Sequence, residues 1–253
     1  EALEDLNQAI KLNPLSSKAY FDRGNVKGLL NDNNGKYSDL KQGFMLELKK
    51  CQQSGNKRSN LYLYRPLNKN TFSLLTNNYL WFSHPSVFND PLDSKYYQNA
   101  VNETDLLHIL KEVRIRSFAH KKEIKNILLW SHYADKHKGI AIEYEIDTDE
   151  LIKENIILCN VDYCNSIMLK NAPNIGDYGK SFFIKSKVWS YENEWRMVTL
   201  SSNLIDGNKL FNGFKIKSIV FGLLTDSEDI ETVKKILGII KWTTKIKFIC
   251  HFP

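Results

Sequence analysis

The sequence lacks any apolar run approaching the roughly 20 residues that a membrane-spanning helix needs. Its longest ones, around Ile156 to Cys159 and Ser218 to Leu224, are far shorter, so no membrane partner is expected. Cysteine is scarce too: Cys51, Cys159, Cys164 and Cys250 are widely spread and make no C-x-x-C pair. That spacing argues against a disulfide framework and a zinc ribbon, and the cytoplasm, a reducing compartment, is the expected location. No glycine motif of the P-loop or dinucleotide-fold type occurs, so no glycine-rich loop is available to cradle phosphate. The opening segment has acidic residues and a helical pattern, unlike a signal or transit peptide, and the chain is expected to continue a longer one.

What is present is a 253-residue chain with 42% hydrophobic residues, enough for one large core and a smaller one. The net charge of +6 comes mostly from dispersed lysines, with local clusters at Lys121-Lys122 and Lys185-Lys187. A solvated basic face explains this more plainly than a polyanionic partner, although a nucleic-acid acceptor stays open.

In residues 1–14, Ala2, Leu6 and Ala9 form a helical stripe that Pro14 ends. Leu40 and Gly43 fall 34 positions after Leu6 and Ala9, and 34 residues is the period of a tetratricopeptide repeat. Residues 1–50 therefore resemble the end of such an array, which implies a protein partner held on stacked helix pairs. Residues 50–60 are polar and contain glycine, and read as a linker.

Residues 61–253 are expected to form an α+β domain, a mixed or antiparallel sheet with flanking helices, because strands outnumber helices and do not alternate strictly with them. Strands are expected at Leu61–Tyr64, Tyr79–Ser83, Ile140–Ile146, Ile156–Tyr163, Trp195–Leu200, Ser218–Phe221 and Lys245–Ile249. Helices are expected at 68–78, over the periodic stretch 103–130, and at Asp226–Leu237. Gly139 stands where helical periodicity changes to strand alternation.

Four blocks in this domain, LYLYRPLN, LWFSHPSVFNDPLD, LLWSHYADKHKGIAIEY and KSKVWSYENEWRMV, resemble the domain-of-unknown-function family 2971, over residues 61–222. Within them, Arg65 sits at a strand end before Pro66, Ser83 ends a second strand, and Glu192 and Glu194 frame an E-x-E at the head of a late strand. That order resembles the layout of ADP-ribosyltransferases. The resemblance implies NAD as substrate, with Arg65 anchoring it, Ser83 lining the pocket and Glu194 as the catalytic carboxylate. Arg65, Ser83, His132 and Glu194 should then face one cleft. The loop after Ser83 departs from a plain Ser-x-Ser pattern.

On a strand Glu192 and Glu194 would share a face, and like charges side by side are disfavoured unless a cation or a reaction uses them. An ion-pair network in which Arg65 and Arg196 pair with the two glutamates is the structural alternative. His132 is a candidate proton carrier and Tyr133, Asn89 and Asp90 are candidate cofactor-side groups, although Asn-Asp-Pro is also a common turn. His132, Asp135 and His137 do not have the spacing of metal ligands on one helical face, so no metal is expected.

Overall fold

The structure, a computed structural model, describes residues 1–52, 58–90, 92–94, 104–165, 175–200, 208–209, 213–239 and 247–250. Three helices come first: α1 (Ala2–Leu12), α2 (Ser17–Leu29) and α3 (Asn33–Lys50). Ser16 and Asp32 start the second and third by accepting the amide protons of Ala19 and Gly35, the usual use of short polar side chains at helix N-termini. Gly24 lets α2 and α3 approach closely: a Cβ there would sit 3.1 Å from the Lys36 carbonyl oxygen. Arg23 and Lys27 of α2 both pair with the buried Asp39 of α3.

The remaining elements are β1 (Arg58–Arg65), α4 (Lys69–Asn77), β2 (Leu80–Trp81), α5 (Thr104–Lys111), β3 (Val113–His120), α6 (Ile127–Tyr133), β4 (Ile140–Asp147), α7 (Thr148–Lys153), β5 (Ile157–Asn160), β6 (Asp162–Cys164), α8 (Ile175–Ser181), β7 (Ile184–Ser186), β8 (Glu194–Leu200), β9 (Asn208–Lys209), β10 (Phe214–Phe221), α9 (Ser227–Ile239) and β11 (Lys247–Cys250). Seven strands form one sheet in the order β11-β10-β4-β1-β3-β8-β5. Every pairing in it is antiparallel except β10 with β11. The expected α+β architecture, a sheet with flanking helices behind a helical segment, is thus the one observed.

Both faces of the sheet are covered, as alternating apolar side chains on buried strands require. On one face Leu61, Leu63, Phe118, Ile142 and Met197 join Leu74 and Leu75 of α4 and Val233 and Leu237 of α9. On the other, Ile115, Ile157 and Val198 pack with Phe44 and Leu48 of α3, Leu106, Ile109 and Leu110 of α5 and Tyr178 of α8. A third cluster sets Leu129 and Trp130 of α6 against Tyr62, Tyr64 and Ala141. Helix α3 therefore contributes directly to the core of the sheet. The Tyr37 hydroxyl and the Lys41 ammonium strengthen that joint by binding Glu112 at the head of β3.

The stretch 103–130 departs from its helical expectation. Its middle is β3, a central strand whose residues Val113, Ile115 and Ser117 point one way and Arg114, Arg116 and Phe118 the other. Helical spacing among Leu106, Leu107 and Leu110 is real but stops at α5, and α6 is a separate short helix. The expected strand 79–83 is reduced to β2 plus an isolated bridge, in which Ser83 and Ile115 exchange backbone hydrogen bonds of 2.8 Å. The expected strand 156–163 is broken into β5 and β6.

Candidate active site

The sheet is split in the middle. Strand β1 stays paired with β4 along eight residue pairs and β3 with β8 along seven, yet β1 and β3 meet only at Leu61–His120 and Tyr62–Ala119. Past that point they part, and the wedge between them is a cavity of about 220 Å³. Arg65, Ser83, Asn89, Tyr133, Glu192 and Glu194 all line it, together with Asp93, Arg116, Ser117, Lys185 and Arg196. Side-chain alternation assigns Arg65 and Arg116 to the face of Leu61 and Phe118, and Ser117, Glu194 and Arg196 to the face of Ala119. They share a cavity only because the strands have separated.

Arg65 is held at the mouth of this split by its own strand. Its residue partner in β4 is Ile140, and Gly139 lies so close that a Cβ on it would come within 2.2 Å of the Arg65 carbonyl oxygen. Gly139 thus serves a close backbone approach at the start of β4 and not the expected helix stop, since α6 already ends at Tyr133, six residues earlier. The Arg65 Nε donates to the Thr71 hydroxyl at 3.3 Å, and no carboxylate among the described residues pairs with Arg65. Burial lowers its pKa. Among the described residues Arg116 has no carboxylate partner either. Its Nη1 reaches the Trp81 carbonyl at 3.3 Å, while its buried Nε has no hydrogen-bond partner among the described residues. Burial, then the positive charge of Arg65, push its pKa down to about 9.

The other side of the cavity is a dense ion-pair cluster. Arg196, 1% exposed, makes two hydrogen bonds to Glu194 (2.7 and 3.0 Å), two to Asp93 (2.9 and 2.5 Å) and one to the Phe182 carbonyl (2.8 Å). All five guanidinium protons are used. Lys185 binds Glu192 at 2.5 Å and Glu194 at 3.2 Å, and lies 4.8 Å from the centre of the Trp189 ring. The Tyr133 hydroxyl donates to Glu192 at 2.5 Å.

These surroundings drive the two glutamates apart. Burial opposes ionisation of Glu194, but Arg196 and Lys185 more than offset it and hold the carboxyl down at about 2. For Glu192 burial wins: with Lys185 partly compensating and the Glu194 charge nearby, its pKa is raised. The two carboxyls are thus shifted in opposite directions, Glu194 toward its ionised form and Glu192 toward its neutral one.

Several expected placements change. Glu192 and Glu194 do not share a strand face, because Glu192 ends a short 3₁₀ helix at 187–192 and Asn193 follows in the left-handed conformation at φ 42°. Both carboxylates instead converge on Lys185. The expected ion-pair alternative is half present: Arg196 pairs with Glu194, whereas Arg65 does not pair with a glutamate. His132 is exposed and outside the cavity, with its ring 6.2 Å from that of Tyr133 and 6.3 Å from that of Tyr191. Asp90 is also outside it. It is buried in the loop and accepts the Leu92 amide proton, the turn role expected of Asn-Asp-Pro.

Asp135, Lys136 and His137 all have positive φ, so the helical pattern expected up to Gly139 stops before them. The His137 ring stacks on Trp130 at 6.2 Å. Among the described residues no three His, Cys, Asp or Glu side chains converge as metal ligands would. No described helix is long and apolar enough to cross a membrane.

Arg116 and Lys185 are the site residues that sequence reasoning did not single out. The alternating V-R-I-R-S-F of 113–118 was the available signal for the first. Lys185 stands out locally only as part of the Lys185-Lys187 cluster, which does not mark it as the partner of two glutamates.

Residues 129–197 match the family described as a protein of unknown function (DUF2971). The matched segment carries Tyr133, Lys185, Glu192, Glu194 and Arg196, and ends within β8. Arg65, Ser83 and Arg116 lie before it, so the match is narrower than the resemblance read across 61–222. None of the curated proteins and none of the solved structures matches the chain.

Proposed function

We propose that the cavity takes NAD as a substrate and that the domain breaks the bond between nicotinamide and the ribose C1′, as ADP-ribosyltransferases and NAD glycohydrolases do. The reading is carried by one observation: Arg65, Ser83 and the Glu192/Glu194 pair, drawn from distant stretches of chain, line a single cavity. Its charge layout supports the same ligand. Two guanidiniums that find no carboxylate partner among the described residues lie on one side, and three carboxylates against two cations on the other, which suits a ligand with an anionic pyrophosphate and a cationic nicotinamide ring. At about 220 Å³ the cavity is below the ~300–1,000 Å³ usual for sites that enclose a whole ligand, so part of the dinucleotide would lie outside it.

In this reading nicotinamide leaves C1′ with the electron pair of the broken bond. The fixed charge of Glu194 opposes the positive charge developing at C1′. An acceptor hydroxyl, or water, bonds to C1′ and gives its proton to Glu192, whose raised pKa suits a base. Tyr133 and Lys185 orient that carboxylate. Asn89, 3.5 Å from the Tyr133 hydroxyl, stands at the same edge. The helical segment at 1–50, read as repeats, would bring a protein partner or acceptor to the domain.

The test is NAD consumption by the purified chain, with nicotinamide release followed chromatographically. Turnover should fall by at least about 100-fold in Glu192→Gln, the scale of a lost general base, while circular dichroism stays unchanged. Equal turnover in variant and parent would remove the reading. A second reading has its own support. Glu194 already accepts from Arg196, Lys185 and Ser117, leaving it little capacity toward a ligand. A non-catalytic module that binds a nucleotide without cleaving it would look the same, and would bind NAD with no nicotinamide released.

A further inference from the structure

We propose that Arg65 and Arg116 together form a subsite for a phosphoryl group, with Arg116, from the central strand β3, as its second guanidinium. The inference starts from an imbalance. The described residues balance the charge of Arg196 and Lys185 with three carboxylates, but supply none to Arg65 or Arg116. Two like charges on one wall of a cavity repel each other, and a protein keeps such an arrangement at a cost unless an anion is to come between them.

Unmet hydrogen-bonding capacity points the same way. Among the described residues the buried Arg116 Nε has no acceptor, and neither has the hydroxyl of Tyr144, a fully buried residue of β4 that does not itself line the cavity. Buried donors without acceptors are rare in folded proteins. A phosphoryl group, whose unesterified oxygens share its negative charge, is the ligand that two forked guanidiniums suit best, because each can give it two parallel hydrogen bonds. The backbone of Ser83, pinned to Ile115 beside Arg116, lines the cavity next to that guanidinium. No glycine loop or helix N-terminus is needed.

The assignment rests on the nucleotide reading of the cavity, in which the phosphoryl group belongs to the ligand, but it can be measured without NAD turnover. Inorganic pyrophosphate and ADP are titrated calorimetrically into the full chain at constant ionic strength, with sodium chloride as the matched control. Both should bind the parent protein, and Arg116→Met should weaken each by about 10- to 100-fold, the range of a lost charged hydrogen bond. Because no carboxylate among the described residues is left behind by Arg116, the same variant should melt at or above the parent's temperature without anion, which separates lost binding from lost folding. Arg116→Lys, keeping charge but not the fork, should fall between them.

Weakening of pyrophosphate alone would still support the subsite and mark its ligand as a free polyphosphate. Failure of the parent to bind either anion, or equal binding by Arg116→Met, overturns the proposal. Anion binding without NAD consumption would leave the subsite standing and dismiss the transferase. NAD consumption unaffected by Arg116→Met would do the reverse.

Discussion

Arg196 and Asp93, 103 residues apart in sequence, meet in a parallel two-pronged pair, Nη1 to Oδ1 at 2.9 Å and Nη2 to Oδ2 at 2.5 Å, with both side chains nearly inaccessible to water. The loop after Ser83 is thereby tied to β8, and the wall of the cavity is fixed by a bond between charges rather than by strand pairing. Breaking a buried pair from one side leaves the other charge uncompensated, at a cost of about 3–5 kcal/mol. Arg196→Met should therefore lose roughly that much unfolding free energy in urea, and it leaves Asp93 and Glu194 to repel each other. A loss below about 1 kcal/mol, the level of a surface pair, would mean that the cluster is more hydrated than its geometry indicates.

The acid stability of the protein should carry the signature of Glu194. Its carboxyl is held at about 2, against 4.5 for an ordinary glutamate, so the folded state prefers the ionised form. That stabilisation is complete above about 4.5, and is lost as pH falls from 4.5 through 2 and the unfolded chain takes up the proton first. On this difference it is worth about 3 kcal/mol, to order of magnitude. The raised Glu192 acts oppositely, its burial costing stability as pH rises above 4.5. Urea midpoints between pH 2 and 6 should fall steeply toward acid in the parent. In Glu194→Gln the protein should be weaker throughout and the slope shallower, and an unchanged slope would assign the acid sensitivity elsewhere.

Tyr133 gives a more selective probe of the site, since its hydroxyl donates to Glu192 without joining the Arg196 cluster. That hydrogen bond favours the carboxylate, so its loss in Tyr133→Phe should raise the Glu192 pKa further. With Glu192 acting as base, the acidic limb of kcat/KM for NAD should move to higher pH, by about one unit if the bond is worth ~1.4 kcal/mol. A purely structural tyrosine would lower activity without moving the limb.

Much of this layout was readable from residue patterns. Alternating aromatic and aliphatic residues at 61–64 located β1 and put Arg65 at its end, and the E-x-E before Trp195 located the head of β8. Arg116 escaped because Leu106, Leu107 and Leu110 impose a helical period just upstream, and a reading window spanning both segments favours the longer element. Lys185 escaped for another reason. Its role depends on Asn193 taking a left-handed conformation that folds Glu192 back over it, which no local spacing encodes. The split between β1 and β3 was equally hidden, since strand alternation alone places Arg65 and Glu194 on opposite faces.

The joint between the helical segment and the sheet is the remaining point open to measurement. Phe44 is fully buried in α3 and shares a cluster with Ile115, Ile157 and Val198 of the sheet. Truncating such a side chain costs about 3–5 kcal/mol, through lost burial and the cavity left behind. If α3 folds with the sheet, Phe44→Ala should move the whole urea transition to lower denaturant, with helical signal and tryptophan fluorescence changing together. Trp130 and Trp195 report on the sheet side, far along the chain from the substitution. Were the helices an independent unit, the ellipticity would fall first and the fluorescence midpoint would stay where it is in the parent protein. The Tyr37 and Lys41 contacts to Glu112 argue for the coupled outcome, because they anchor α3 to the strand that carries Arg116.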